Sequence, residues 1–103
     1  MRKLSTITKK RIDEDNYYRQ CCICGSKLVQ MHHNLIFAGR QADDPETILP
    51  LCEYDHDQAR NSDFKEKLDW IMYNRMTPEQ LVKYNKSGDL MRRFNYLKTK
   101  FDK

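Results

Sequence analysis

A chain of 103 residues, 39% hydrophobic and 33% charged, is expected to form one small and very polar domain with a modest core. One Trp, six Tyr and four Phe argue against a disordered chain. The net charge of +4 and a pI near 8.9 admit nucleic acid as a partner without requiring it. No apolar run is long enough to cross a membrane, and no leader-like apolar core follows Met1, so the expected setting is the cytoplasm. Thiols stay reduced there, and clustered cysteines bind metal more often than they form disulfides.

Residues 1–20, MRKLSTITKKRIDEDNYYRQ, place Lys9, Lys10 and Arg11 in a stretch with no acid before Asp13. They are expected to form a basic N-terminal arm, either following phosphates or simply solvating the terminus. Residues 12–20 lead into the cysteines as a short helical turn.

Every cysteine and every histidine lies between Cys21 and His56. The stretch opens CCICG, where Cys21 and Cys24 have the gap of a zinc knuckle. Gly25 lets the backbone curl so that amides point at sulfur. Residues 27–37 alternate loosely and are rich in Leu, Val, Ile and Phe, as in a strand or hairpin carrying His32 and His33. Neighbours on a strand face opposite ways, so that pair needs two environments or a bulge to serve one site. Gly39, Asp43, Asp44 and Pro45 mark a loop, and Thr47 to Leu51 is a short apolar stretch ending at Cys52. A helix then starts with Asp55 and His56 in its first turns. Cys21, Cys24, Cys52 and Asp55 supply three thiolates and a carboxylate, a set that completes a tetrahedral structural Zn2+ site. His56 is an alternative fourth ligand, and Cys22 is a spare thiol or an alternative to Cys21.

The remaining chain is helical. Phe64, Leu68, Ile71 and Met72 recur at helical spacing after Ser62, a candidate N-cap. Thr77-Pro78-Glu79-Gln80 starts a second helix as a capping box with proline at its first position. Ser87-Gly88 ends it, and a third helix runs from about Asp89 to Phe101 with Leu90, Phe94, Leu97 and Phe101 on one stripe. The expected fold class is α+β, a metal-stapled hairpin and helix supported by C-terminal helices.

The ordered set CxxCG at 21–25, His32-His33 on a strand, LPLC at 49–52 and Asp55-His56 entering a helix resembles the HNH endonuclease family. That resemblance spans about residues 21–61, and the chain as a whole is similar to small phage or prophage HNH proteins. It implies a zinc-stapled ββα-metal core over residues 21–61, preceded by the arm at 1–20 and followed by a helical extension at 62–103. By the same resemblance, His33 is the general base that takes a proton from water. His32 and His56 hold a catalytic divalent metal (Mg2+, Mn2+, Ni2+ or Zn2+), and the reaction is hydrolysis of DNA phosphodiesters. A neutral imidazole near pH 7 suits that proton transfer. Thr47 stands where the family has an asparagine that fixes the loop around the base, and Asn34 and Asn61 are other candidates for that support. Arg40 and Arg60 flank the site and are candidate phosphate contacts, with Lys9, Lys10 and Arg11. Two other classes of function fit the same residues: a non-catalytic zinc module that binds nucleic acid, and a module whose helical half binds a phage or host protein.

Overall fold

The computed structural model describes residues 6–37, 40–41 and 44–101, and gives the backbone alone for 36, 37, 40, 41 and 86. Among them are five α-helices and two short antiparallel strand pairs. Residues 9–11, expected in an arm, sit instead in a helix, α1 (Thr6–Asp13). Thr8 and Ile12, four apart and so on one face, are buried against the chain, while Lys9, Lys10 and Arg11 remain exposed. A 3-10 turn at Asn16–Arg19 follows, capped by Asp15, which accepts from the Tyr17 amide.

The hairpin pairs β1 (Gln30–His33) with β4 (Ile48–Leu51) in unbroken register: Gln30 with Leu51, Met31 with Pro50, His32 with Leu49 and His33 with Ile48. Between them β2 (Ile36–Phe37) pairs with β3 (Arg40–Gln41). All four residues of β4 are buried, so both of its faces carry core. The period-two alternation divides them. Leu49 and Leu51 join the main cluster with Leu68, Met72, Tyr73 and Leu97, whereas Ile48 packs with Ile12 and Tyr18 in a smaller one. The main cluster therefore draws on hairpin and helices alike, which makes the helical extension part of the same core.

Helix α2 (Glu53–Gln58) follows β4 through Cys52. Helix α3 (Ser62–Arg75) is capped by Asn61, whose side chain accepts from the amides of Asp63 and Phe64. The cap expected at Ser62 thus falls one residue earlier, and Ser62 is the first helical residue. Asn61 is thereby spent on the helix end. Helix α4 (Pro78–Tyr84) has the full capping box of Thr77 and Gln80. The break before α5 (Asp89–Phe101) uses Ser87 and Gly88, both at positive φ.

Arg75, near the end of α3, fastens the N-terminal turn. Its guanidinium lies 3.4 Å from the Tyr17 ring centroid, and it donates to the Tyr18 hydroxyl at 3.1 Å. No helix among the described residues is long and apolar enough to cross a membrane.

Candidate functional site

Cys21 to Ser26 forms a tight turn. The Cys21 amide donates to Ser26 O at 2.7 Å, and the Gly25 amide donates back to Cys21 O at 3.0 Å. Gly25 sits at φ +80, which an L side chain rarely adopts; a Cβ there would meet no atom, so backbone conformation alone demands glycine. The turn aims the Ile23 amide at Cys21 Sγ (3.4 Å), and the start of α2 aims the Asp55 amide at Cys52 Sγ (3.5 Å).

These two turns bring Cys21, Cys24, Cys52 and Asp55 together, with ligand atoms all within 4.8 Å of one another, a cluster that can hold a metal ion. Both Cys21 Sγ (3.1 Å) and Cys52 Sγ (3.2 Å) donate to Asp55 Oδ2, and Cys24 Sγ lies 3.6 Å from Cys52 Sγ. Burial works to raise the Asp55 carboxyl, but hydrogen bonds from the Cys21, Cys52 and Cys24 thiols hold it below the ordinary carboxylate range. Of the two alternatives at the first knuckle, Cys21 is the one in the cluster. Cys22 stands outside it, its amide donating to Pro50 O at 3.0 Å and its thiol pushed up to about 11, first by burial. Asp55 rather than His56 completes the cluster.

His56, one residue on, is turned about 100° around α2 and meets the hairpin instead. Its ring packs edge-on against His32, with centroids 5.2 Å apart. Burial, then the neighbouring His56 and Lys65, lowers the pKa of His32 to about 4, so its imidazole is neutral at physiological pH. His33 is 7% exposed. The register of β1 has no bulge, yet His32 and His33, at the end of the strand, both line one cavity of about 320 Å3. Among the described residues no third Cys, His, Asp or Glu joins His32 and His56 as a metal cluster.

The same cavity is lined by Asn34, Lys65, Asp69, Tyr73 and Arg93. Asn34 Nδ2 donates to Asp69 Oδ1 at 2.9 Å. Lys65 Nζ donates to Asn34 O (2.8 Å), Asn34 Oδ1 (3.1 Å) and Asp69 Oδ1 (2.6 Å). Arg93 Nε donates to Asp69 Oδ2 at 2.7 Å. The buried carboxylate of Asp69 thereby binds the residue after His33 to α3 and α5. Sequence reading passes over Lys65, Asp69 and Arg93, since a Lys and an Asp four apart on a helix look like a surface pair. The available signal was that Asp69 lies between Leu68 and Met72, on the edge of the apolar stripe.

Thr47 is fully buried and does not line the cavity. Its hydroxyl donates to Asp44 O at 2.7 Å, closing the 3-10 turn Pro45–Thr47, and its carbonyl accepts from the Asn34 amide at 3.0 Å. Its carbonyl is thus tied to the loop that follows the histidines. Arg60 is exposed just after α2, and Lys9, Lys10 and Arg11 are exposed on α1; none of these lines the cavity. The side chain of Arg40 lies outside the described residues.

Comparison with protein-family models, with curated proteins and with solved structures gives no match.

Proposed function

We propose that the protein is a metal-dependent HNH-type endonuclease that hydrolyses DNA phosphodiester bonds, with a zinc staple beside its reactive centre. The observation that carries this reading is the contact between the first strand and α2 at His32 and His56, with ring centroids 5.2 Å apart, beside a cavity that His32 shares with His33. The strand-to-helix order in which they occur matches the family resemblance.

The cysteine cluster fits zinc by donor chemistry and spacing. Thiolates and a carboxylate suit a tetrahedral Zn2+, whose sulfurs stand about 3.8 Å apart for Zn–S bonds of about 2.3 Å. The 3.6 Å between Cys24 and Cys52 is close to that. Zinc there ties the first knuckle to the start of α2 and so fixes His56 relative to β1.

His32 and His56 offer two imidazole nitrogen donors and leave the rest of a coordination sphere open, as a phosphate-binding catalytic centre requires. A divalent cation held there would supply charge stabilisation for the leaving oxygen. His33 is the base: its imidazole takes the proton of the attacking water, and burial against the hairpin limits its orientations. Asn34 and Lys65 hold the backbone just after His33, so the base is positioned by α3.

A test is plasmid nicking with Mg2+, Mn2+ or Ni2+, with bound zinc measured on the same samples. Wild type is expected to convert supercoiled to open-circular DNA, and His33→Ala to lose that activity while retaining zinc. Unchanged nicking by His33→Ala overturns the assigned base.

A second reading, a non-catalytic zinc module that binds nucleic acid or a phage or host protein, is favoured by Thr47. A hydroxyl, which donates to the Asp44 carbonyl, stands there in place of the amide that the family resemblance expects to support the base. This reading expects salt-sensitive DNA binding without cleavage under any of the three metals.

A further inference from the structure

The cavity beside His32 and His33 has a cationic wall that the HNH resemblance does not assign. Two cations, Lys65 and Arg93, face it with one carboxylate, Asp69, so its side chains leave an excess of positive charge. The two cations are not equivalent. The ammonium of Lys65 has three protons. Its three acceptors, Asn34 O, Asn34 Oδ1 and Asp69 Oδ1, use all of them, so Lys65 is committed to holding the loop after His33. Arg93 has five N–H groups. Among the described residues its side chain makes one hydrogen bond, from Nε to Asp69 Oδ2 at 2.7 Å. That bond fixes the plane of the guanidinium and leaves both terminal amino groups for another acceptor. The side chain is 38% exposed, hence reachable, while Asp69 beneath it is 5% exposed. A planar fork, anchored from behind by a buried carboxylate and set in the wall of a concave site, is the arrangement that grips two oxygens of one phosphate.

We propose that Arg93 is a phosphate clamp of this cavity, binding the non-bridging oxygens of a nucleic-acid phosphodiester, with Asp69 as the positioning residue that aims it. The inference rests on the proposed nuclease reading and extends it to α5, more than thirty positions beyond the segment that resembles the family. It gives the helical half a direct part in the reaction. Arg93 neutralises and orients the phosphate, while His33 faces the water.

Two measurements on the full-length protein test this. In the first, DNA cleavage is followed at saturating duplex for wild type, Arg93→Ala, Arg93→Lys and Lys98→Ala, the last an exposed lysine on the same helix. Arg93→Ala is expected to lower kcat by about 10- to 100-fold, as loss of one oriented charge donor does. Arg93→Lys should recover part of this, since a point charge replaces half of a fork. Lys98→Ala should leave kcat unchanged. In the second, inorganic phosphate is titrated while the imidazole resonances of His32 and His33 are followed by NMR, with no cleavage required. Wild type and Arg93→Lys are expected to shift; Arg93→Ala is not. Equal phosphate shifts in wild type and Arg93→Ala overturn the clamp, as does a kcat for Arg93→Ala that matches Lys98→Ala. Arg93-dependent phosphate shifts in a protein that cleaves no DNA with any metal support the clamp and reject the nuclease reading. Because Arg93→Lys keeps a cation against Asp69, a folding failure confined to Arg93→Ala leaves the lysine variant to decide the matter: phosphate shifts in it as strong as in wild type, with full kcat, remove the need for a fork.

Discussion

Asn34 donates through Nδ2 to the buried Oδ1 of Asp69 at 2.9 Å, joining the end of β1 to the middle of α3 across 35 positions of sequence. Asp69 is also where Lys65 and Arg93 converge, and its side chain is 5% exposed. A buried carboxylate with three donors is costly to neutralise, because each donor then loses its acceptor away from water. Asp69→Asn is expected to lower unfolding stability by about 1–3 kcal/mol, a typical figure for an unsatisfied buried donor. Urea denaturation of the metal-loaded protein measures it. A change close to zero would mean that water replaces Asp69 without loss, and that the network is not what fixes the loop after His33.

The cysteine cluster makes a separate claim about metal. Asp55 accepts from the thiols of Cys21 and Cys52, and a metal ion would replace those protons. Chelation is expected to lower the thermal midpoint, because the same four residues clip the knuckle to α2. Cys24→Ala should reduce bound zinc below about one equivalent per chain, while Asp55→Cys should tighten it, a thiolate being the softer ligand. Cys22→Ala should retain full zinc, since Cys22 stands outside the cluster. Zinc content by atomic absorption after dialysis settles each. Full occupancy in Cys24→Ala would sink the assignment of this ligand.

How far these features were legible in the sequence depended on the distance over which each is determined. The knuckle was legible because Cys21, Cys24 and Gly25 specify a turn locally, and the φ of +80 at Gly25 follows from that turn. The capping box at Thr77 and Gln80 was legible for the same reason. The choice of Asp55 over His56 was not, since it depends on which side of a six-residue helix faces Cys21, 34 positions away. The network at Asp69 was hidden further, because its partners Asn34 and Arg93 lie 35 and 24 positions off. α1 was missed for another reason. Its burial rests on Thr8 and Ile12 alone, too sparse a stripe to separate a docked helix from a basic arm.

The family resemblance suggests restoring an asparagine at position 47, and the packing argues against it. Thr47 has no exposed surface, and its hydroxyl already donates to Asp44 O at 2.7 Å. An amide adds volume to a site without space. Thr47→Asn is expected to cost about 1–3 kcal/mol by overpacking and to leave nicking no higher than wild type. A rise in kcat for Thr47→Asn would show that the position acts on the base directly rather than through the backbone of Asn34.

The contact between α3 and α5 carries a pH signature. Lys100 Nζ donates to Glu66 Oε1 at 2.7 Å, and that hydrogen bond, then one from Tyr96, holds the Glu66 carboxyl below its ordinary value. The bond to Glu66 also raises Lys100. The other charged groups that act on the pair, Arg93 on Glu66 and Asp63 on Lys100, reinforce these directions. With the folded value depressed, the unfolded chain takes up the proton first as pH falls. The contribution is therefore complete above the unfolded value of about 4.3 and is lost as pH drops through the lower folded value. Lys100→Met is expected to be less stable than wild type near pH 7, with the gap closing as pH falls below about 4.3. High salt should narrow the gap as well, because the lysine is exposed and the pair is screened. Paired urea titrations across this range supply the curve. A gap that stays constant down to pH 3 would assign the effect of Lys100 to the packing of its stem along α3, and not to the charge of Glu66.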